Sequence, residues 1–219
     1  MARELNDDEQ LDELKGWWKR YGNLISTIVL LVAAAFFGWQ AWHNYQARKV
    51  AEASYTFDQL LMLTADNAKL DNAGRDQADK LVSQLTTDYG RNLYADMARL
   101  IQARIAVDSG ELDKAIAALK GEINDGSQSY FVGTARINLA RLQIERQHFE
   151  DALATLNGAI PEALASRKLE TKGDALRGLK RFEEARTAYR QAMTKADELH
   201  MPQYGLQLKL DDLAAEETH

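Results

Sequence analysis

The sequence predicts an all-α protein, with one N-terminal transmembrane helix followed by a stack of antiparallel helix pairs. Three observations carry this. Asn23 to Trp42 contains no charged residue. Beyond it, apolar residues recur at helical rather than strand spacing. The 219 residues are rich in alanine and include only two prolines, Pro161 and Pro202.

The apolar stretch comes first. At about 1.5 Å rise per residue, a helix over Asn23–Trp42 is roughly 30 Å long, the thickness of a bilayer's hydrocarbon core. Its polar residues are Asn23, Ser26, Thr27 and Gln40, and a helical Ser or Thr bonds back to its own backbone. Trp17, Trp18 and Tyr21 precede it, Trp39 and Trp42 stand at its far end, and Tyr45 follows it. Such side chains favour the headgroup level because an apolar body carries a polar tip. A buried core helix rarely stays uncharged on every face for so long. A cleaved signal peptide would need a basic leader and a short apolar run. Here the leader carries Glu4, Asp7, Asp8, Glu9, Asp12 and Glu13, and the A-x-A pattern at Ala51–Ala53 lies well beyond the run. We therefore expect an uncleaved anchor. Arg3, Lys15, Lys19 and Arg20 before the span outnumber Arg48 and Lys49 after it, which favours a cytoplasmic N-terminus.

Composition limits the remainder. Setting tail and anchor aside leaves roughly 175 residues, enough for one domain with a sizeable core. A net charge of −6 argues against a nucleic-acid binder. The lack of cysteine excludes disulfides, thiolate metal sites and cysteine nucleophiles. The expected organisation is an acidic cytoplasmic tail over 1–20, with a short amphipathic turn around Leu11 and Leu14, and the anchor over 21–45. Membrane-proximal helices over 46–92 and a repeat domain over 93–219 follow.

In chain order, Ala47, Val50, Ala51, Ser54, Tyr55, Phe57, Leu60, Leu61 and Leu63 form one broad apolar face, so the anchor is expected to continue into the first soluble helix. Residues 67–74 are a polar break. Ala78, Leu81, Val82 and Leu85 mark the next helix, which ends near Tyr89-Gly90. Helices are then expected over 93–108 and 112–123, 130–147 and 149–158, and 164–178 and 182–198, with a last one after Pro202.

These pairs repeat. An alanine early in each second helix recurs as Ala115, Ala152 and Ala185, at separations near the 34-residue tetratricopeptide period. The small position of each first helix falls on Ala103, Ala140 and Gly173. The large position of each second helix falls on Leu119, Leu156 and Tyr189. Small residues let two helices approach, and the large one fills the space left against the neighbouring repeat. The Trp, Tyr and Pro of a full repeat are missing, which predicts an α-solenoid of degenerate tetratricopeptide-like pairs, with an unrelated helical bundle as the alternative.

With anchor and repeats placed, the chain resembles the ancillary SecYEG translocon subunit family (YfgM-like) over nearly its whole length. The resemblance rests on the acidic tail, Gly38-Trp39-Gln40-Ala41-Trp42, Ala51–Ser54, Tyr94-Ala95 and Gly110-Glu111-Leu112-Asp113-Lys114-Ala115. It continues at Leu139-Ala140-Arg141 and Lys172-Gly173-Asp174-Ala175-Leu176. Membership implies a Gram-negative inner-membrane protein with a periplasmic repeat domain. It also implies the SecYEG translocon and a membrane-anchored, prolyl-isomerase-like periplasmic chaperone as partners, with secreted clients handed between them.

No cofactor or enzyme activity is expected. His43, His148, His200 and His219 share no metal-ligand spacing, and no nucleophile elbow, P-loop or dinucleotide fingerprint occurs. Adjacent carboxylates such as Glu183-Glu184 do not share a helix face. A partner would instead meet the concave face built from the first helix of each pair. Met97, Leu100, Arg104 and Val107 point inward in repeat one, and Thr134, Ile137, Arg141 and Ile144 in repeat two. Arg167, Glu170, Asp174 and Arg177 do so in repeat three. Leu100/Ile137, Arg104/Arg141 and Val107/Ile144 are equivalent pairs, suggesting an apolar floor with cationic spots suited to an unfolded or helical polypeptide. The same apolar residues would equally serve packing between helices. A scaffold for another envelope-assembly complex is the alternative function.

Overall fold

The computed structural model describes residues 4–65, 70–202 and 205–216, with side chains over 15–65, 70–202 and 205–213. The turn expected around Leu11 and Leu14 falls where side chains are not described, and His219 lies outside the described residues. The elements are α1 (Glu4–Leu63), α2 (Asn72–Thr87), α3 (Leu93–Asp108), α4 (Leu112–Asp125), α5 (Ser129–Glu145) and α6 (Phe149–Leu156). A 3-10 turn (Glu162–Leu164), α7 (Ala165–Gly178), α8 (Phe182–Glu198) and α9 (Leu206–Glu216) complete them. Among the described residues there is no strand, as the periodicity predicts. Two compact units divide the chain, Met1–Ala51 and Glu52–His219.

In the first unit, the apolar stretch of α1 is long enough to cross a membrane, and none of it is buried. That exposure removes the core-helix alternative. Thr27 donates its hydroxyl to the Asn23 carbonyl at 2.8 Å, so its polarity is met within the helix. Trp17, Trp18, Tyr21, Trp39, Trp42 and Tyr45 all present exposed rings. Trp17 lies 5.9 Å from Tyr21, Trp39 stacks on His43, and the Lys49 ammonium sits 5.3 Å above Tyr45.

In the second unit, four apolar clusters follow one another along the chain. The end of α1 gives Ala53, Phe57 and Leu60 to a cluster with Ala78, Leu81, Val82 and Leu85 of α2 and Ala98 of α3. This face is narrower than the sequence suggests: Tyr55 and Leu61 are exposed. Helix α2 also begins inside the expected polar break, because the Asp71 carboxylate caps it by accepting from the Gly74 amide at 2.7 Å. Further clusters join α3 to α4 and α5, then α5 to α6 and α7, then α7 to α8 and α9. Each helix thus packs mainly on its neighbours in sequence, the one-dimensional logic of a solenoid.

Small residues sit at the tightest points. Ala115, Ala140, Ala152 and Ala185 are fully buried, Ala103 is 5% exposed, and Leu119, Leu156 and Tyr189 are buried beside them. At Gly173 the Tyr189 ring occupies the space a Cβ would need. The three turns within pairs share one geometry. Each passes through a left-handed residue, Gly110 (φ +78°), Gln147 (φ +62°) or Lys180 (φ +59°). The following amide reaches back across the helix end: Glu111 to Ala106, His148 to Gln143 and Arg181 to Leu176, at 2.8–2.9 Å. A fourth such turn, through His200, ends α8.

One buried polar cluster fixes where α5 starts. The Asp96 carboxylate accepts from the Ser127 and Gln128 amides and the Ser127 hydroxyl, at 2.7–3.0 Å. Arg99 bridges Asp96 and Glu122, and one Glu122 carboxyl oxygen has no hydrogen-bond partner. Burial, and then the Asp96 charge, push the Glu122 carboxyl up to about 7, against the pull of Arg99.

Two predictions follow from this packing. Ala185→Leu is expected to destabilise the domain by about 1–3 kcal/mol through overpacking. Gly173→Ala should also destabilise, because the overlap with Tyr189 outweighs the helix-propensity gain of about 1 kcal/mol. Urea unfolding measures both, and unchanged midpoints would refute the packing register. Glu122 binds its proton more tightly folded than unfolded. Its favourable contribution is therefore full below about pH 4.5 and is lost as pH rises through about 7. Glu122→Gln should flatten the pH dependence of the urea midpoint over that window. At pH 8 it should stabilise by on the order of 1–3 kcal/mol.

Candidate functional site: the groove between the first helices of repeats one and two

Helices α3 and α5 lie side by side and leave a cavity of about 260 Å³ between them. From α3 come Leu100, Ala103, Arg104 and Val107, and from α5 come Asn138, Arg141 and Leu142, with Leu119 of α4 at the floor. Arg104 and Arg141 are exposed, and Val107 is 41% exposed. Among the described residues neither arginine makes an ion pair. Asp108 and Glu145, one turn further along each helix, do not line the cavity. The site therefore offers an apolar hollow with two unpaired guanidinium groups at its rim.

Four of the six residues expected on the partner face thus meet at one place: Leu100, Arg104, Val107 and Arg141. Ile137 does not join them. It is 2% exposed, in the core with Ala140, Ala152, Leu156, Leu164 and Ala175, and Ile144 packs on that core. Helix geometry explains the difference. At about 100° per residue, Ile137 and Ile144 fall on the flank of α5 that faces α7, whereas Asn138 and Leu142 fall on the flank facing α3. Leu100 and Val107 occupy the equivalent flank of α3, facing α5. The second gap is filled by Ile160, Pro161 and Leu164, with Pro161 and Leu164 against Gly133 of α5. Sequence reasoning missed Asn138 and Leu142 because it followed one row per helix, while a groove between two helices is lined by opposite flanks.

In repeat three the inward face is engaged. Asp174 accepts from the Tyr189 hydroxyl at 2.9 Å and from Lys209 of α9 at 2.7 Å, and Glu170 accepts from Lys209 at 2.8 Å. Burial, with Asp174 beside it, raises the Tyr189 phenol above its ordinary range. Among the described residues no cluster of His, Cys, Asp and Glu has the arrangement to hold a metal ion.

Comparison with known proteins bears on this architecture. A family model described as a tetratricopeptide repeat-like domain matches residues 15–215. A Haemophilus influenzae protein named ancillary SecYEG translocon subunit is 27% identical over 54% of this chain and 55% of its own length. An Escherichia coli protein of the same name is 26% identical over 56% and 55%, so the match spans about half the length of these relatives. A Neisseria gonorrhoeae protein, again so named, is 25% identical over 97% of this chain and 100% of its own length. No solved structure matches the chain. A family match running from the apolar helix to α9, over a stack of helix pairs with small residues at their contacts, establishes that the chain belongs to the tetratricopeptide repeat-like domain family.

Proposed function

We propose that this protein is a non-enzymatic, single-pass inner-membrane subunit that works beside the SecYEG translocon. Its N-terminus lies in the cytoplasm and its repeat domain in the periplasm. There the domain assists transfer of secreted clients to a membrane-anchored, prolyl-isomerase-like chaperone. The observation that carries this reading is the combination in one chain of an exposed apolar helix with a repeat domain whose groove is open. An anchor restricts the domain to the membrane surface, and an apolar groove with polar rims suits a polypeptide. The shared name of the relatives supports the choice of the translocon.

Topology and partner are tested separately. A reporter active only outside the cytoplasm, fused after the last residue, is expected to be active, and protease added to spheroplasts should degrade the domain. Activity of a cytoplasm-only reporter there would refute the orientation. Co-purification of the full-length protein in mild detergent should retain translocon subunits. Replacing residues 21–47 with an unrelated apolar helix should reduce that yield if the span takes part in recruitment. Recovery of an envelope-assembly complex without translocon subunits would favour a scaffold elsewhere in the envelope.

A further inference from the structure

The first helices of successive repeats carry one equivalent row across the groove. Arg104, Arg141 and Asp174 hold it in α3, α5 and α7, in the same register as Ala103, Ala140 and Gly173 beside them. Lys209 of α9 lies 35 residues beyond Asp174 and contacts it. The row therefore reads positive, positive, negative, positive. Its last two members neutralise each other, and Lys209 also covers the Tyr189 ring at 5.7 Å. Alongside them Leu206 and Leu213 of α9 are buried against the α7–α8 core. At this end of the row the α9 helix thus meets the Asp174 carboxylate with the opposite charge and sets apolar side chains beside it.

Arg104 and Arg141 have no such cover. They flank the same cavity, carry like charge, and are unpaired among the described residues of a chain whose net charge is −6. Two like charges with a hollow between them favour a counter-charge at that point, and guanidinium groups bind carboxylates in a fixed, often bidentate geometry. We propose that the groove between α3 and α5 recognises an amphipathic helical segment of another polypeptide. That segment sets a Glu or Asp side chain between Arg104 and Arg141 and a neighbouring apolar side chain in the cavity over Leu100, Val107 and Leu142. The proposal rests on the concave face being the polypeptide-binding surface and adds the chemistry of its ligand.

The test uses full-length protein in nanodiscs and three fluorescent helical peptides. These carry Leu with Glu, Leu with Gln, or Leu with Lys at positions i and i+4. The Leu/Glu peptide is expected to bind about tenfold more tightly than Leu/Gln, with affinity falling as salt rises. R104E/R141E, with unchanged circular dichroism, should lose that preference and favour Leu/Lys. Replacing the peptide's Leu with Ala should weaken binding to the native protein. Equal binding of the Glu and Gln peptides, an unaltered preference in R104E/R141E, or no binding of any of the three overturns the proposal. Translocon crosslinks of R104E/R141E in cells separate the two readings. Retained crosslinks with lost peptide preference uphold both the anchor-based placement and the ligand chemistry. Retained crosslinks without any peptide preference in the native protein leave the placement standing and reject the ligand chemistry.

Discussion

The close approach of helices at small residues is the constraint on which the repeat domain depends. Gly173 lies directly under the Tyr189 ring, and Ala140 and Ala152 are buried together with Leu156 in the core of the preceding repeat. With little side chain in the way, two helices draw close enough for large neighbours to fill the space around them. The second constraint is the turn. Gly110, Gln147 and Lys180 take left-handed backbone at the end of each first helix, which costs about 1–2 kcal/mol at the two non-glycine positions. Packing of the following helix offsets that strain. The repetition of one contact and one turn sets the register of every row across the array.

Register then decides what the groove presents. Arg104 and Arg141 face one cavity because α3 and α5 repeat the same phase. Asp174 and Lys209 close the row because α9 follows as a further helix of the stack. The domain is finished at that end by its own side chains and open at the gap between α3 and α5. The buried Asp96–Arg99–Glu122 cluster ties the start of α5 to α3 and α4. A carboxyl at Glu122 pushed up to about 7 makes the stability of that junction depend on the pH of its compartment.

Much of this was legible in the sequence because it depends on periodicity. The uncharged run, the helix pairs and the recurring Ala115, Ala152 and Ala185 are local signals that a single chain displays. Gly110-Glu111 marked its turn by composition, whereas Gln147 and Lys180 carry the same backbone with no glycine to announce it. The groove was only half legible. Its arginines follow from register, but Ile137 is buried in the core with Leu164, and Ile144 packs on that core instead of lining the groove. The buried Glu122 had no sequence signature, since its environment is assembled from α3, α4 and the loop before α5. Such non-local burial is a property of packing rather than of pattern.

The central claim is that one repeat register sets Arg104 and Arg141 side by side across a single groove. The chain has no cysteine, so nitroxide labels can be placed at these two positions alone. Adjacent packed helices have axes about 8–10 Å apart. The doubly labelled full-length protein should therefore give a continuous-wave spin-resonance spectrum strongly broadened relative to the sum of the two singly labelled spectra. A doubly labelled spectrum identical to that sum would contradict the account.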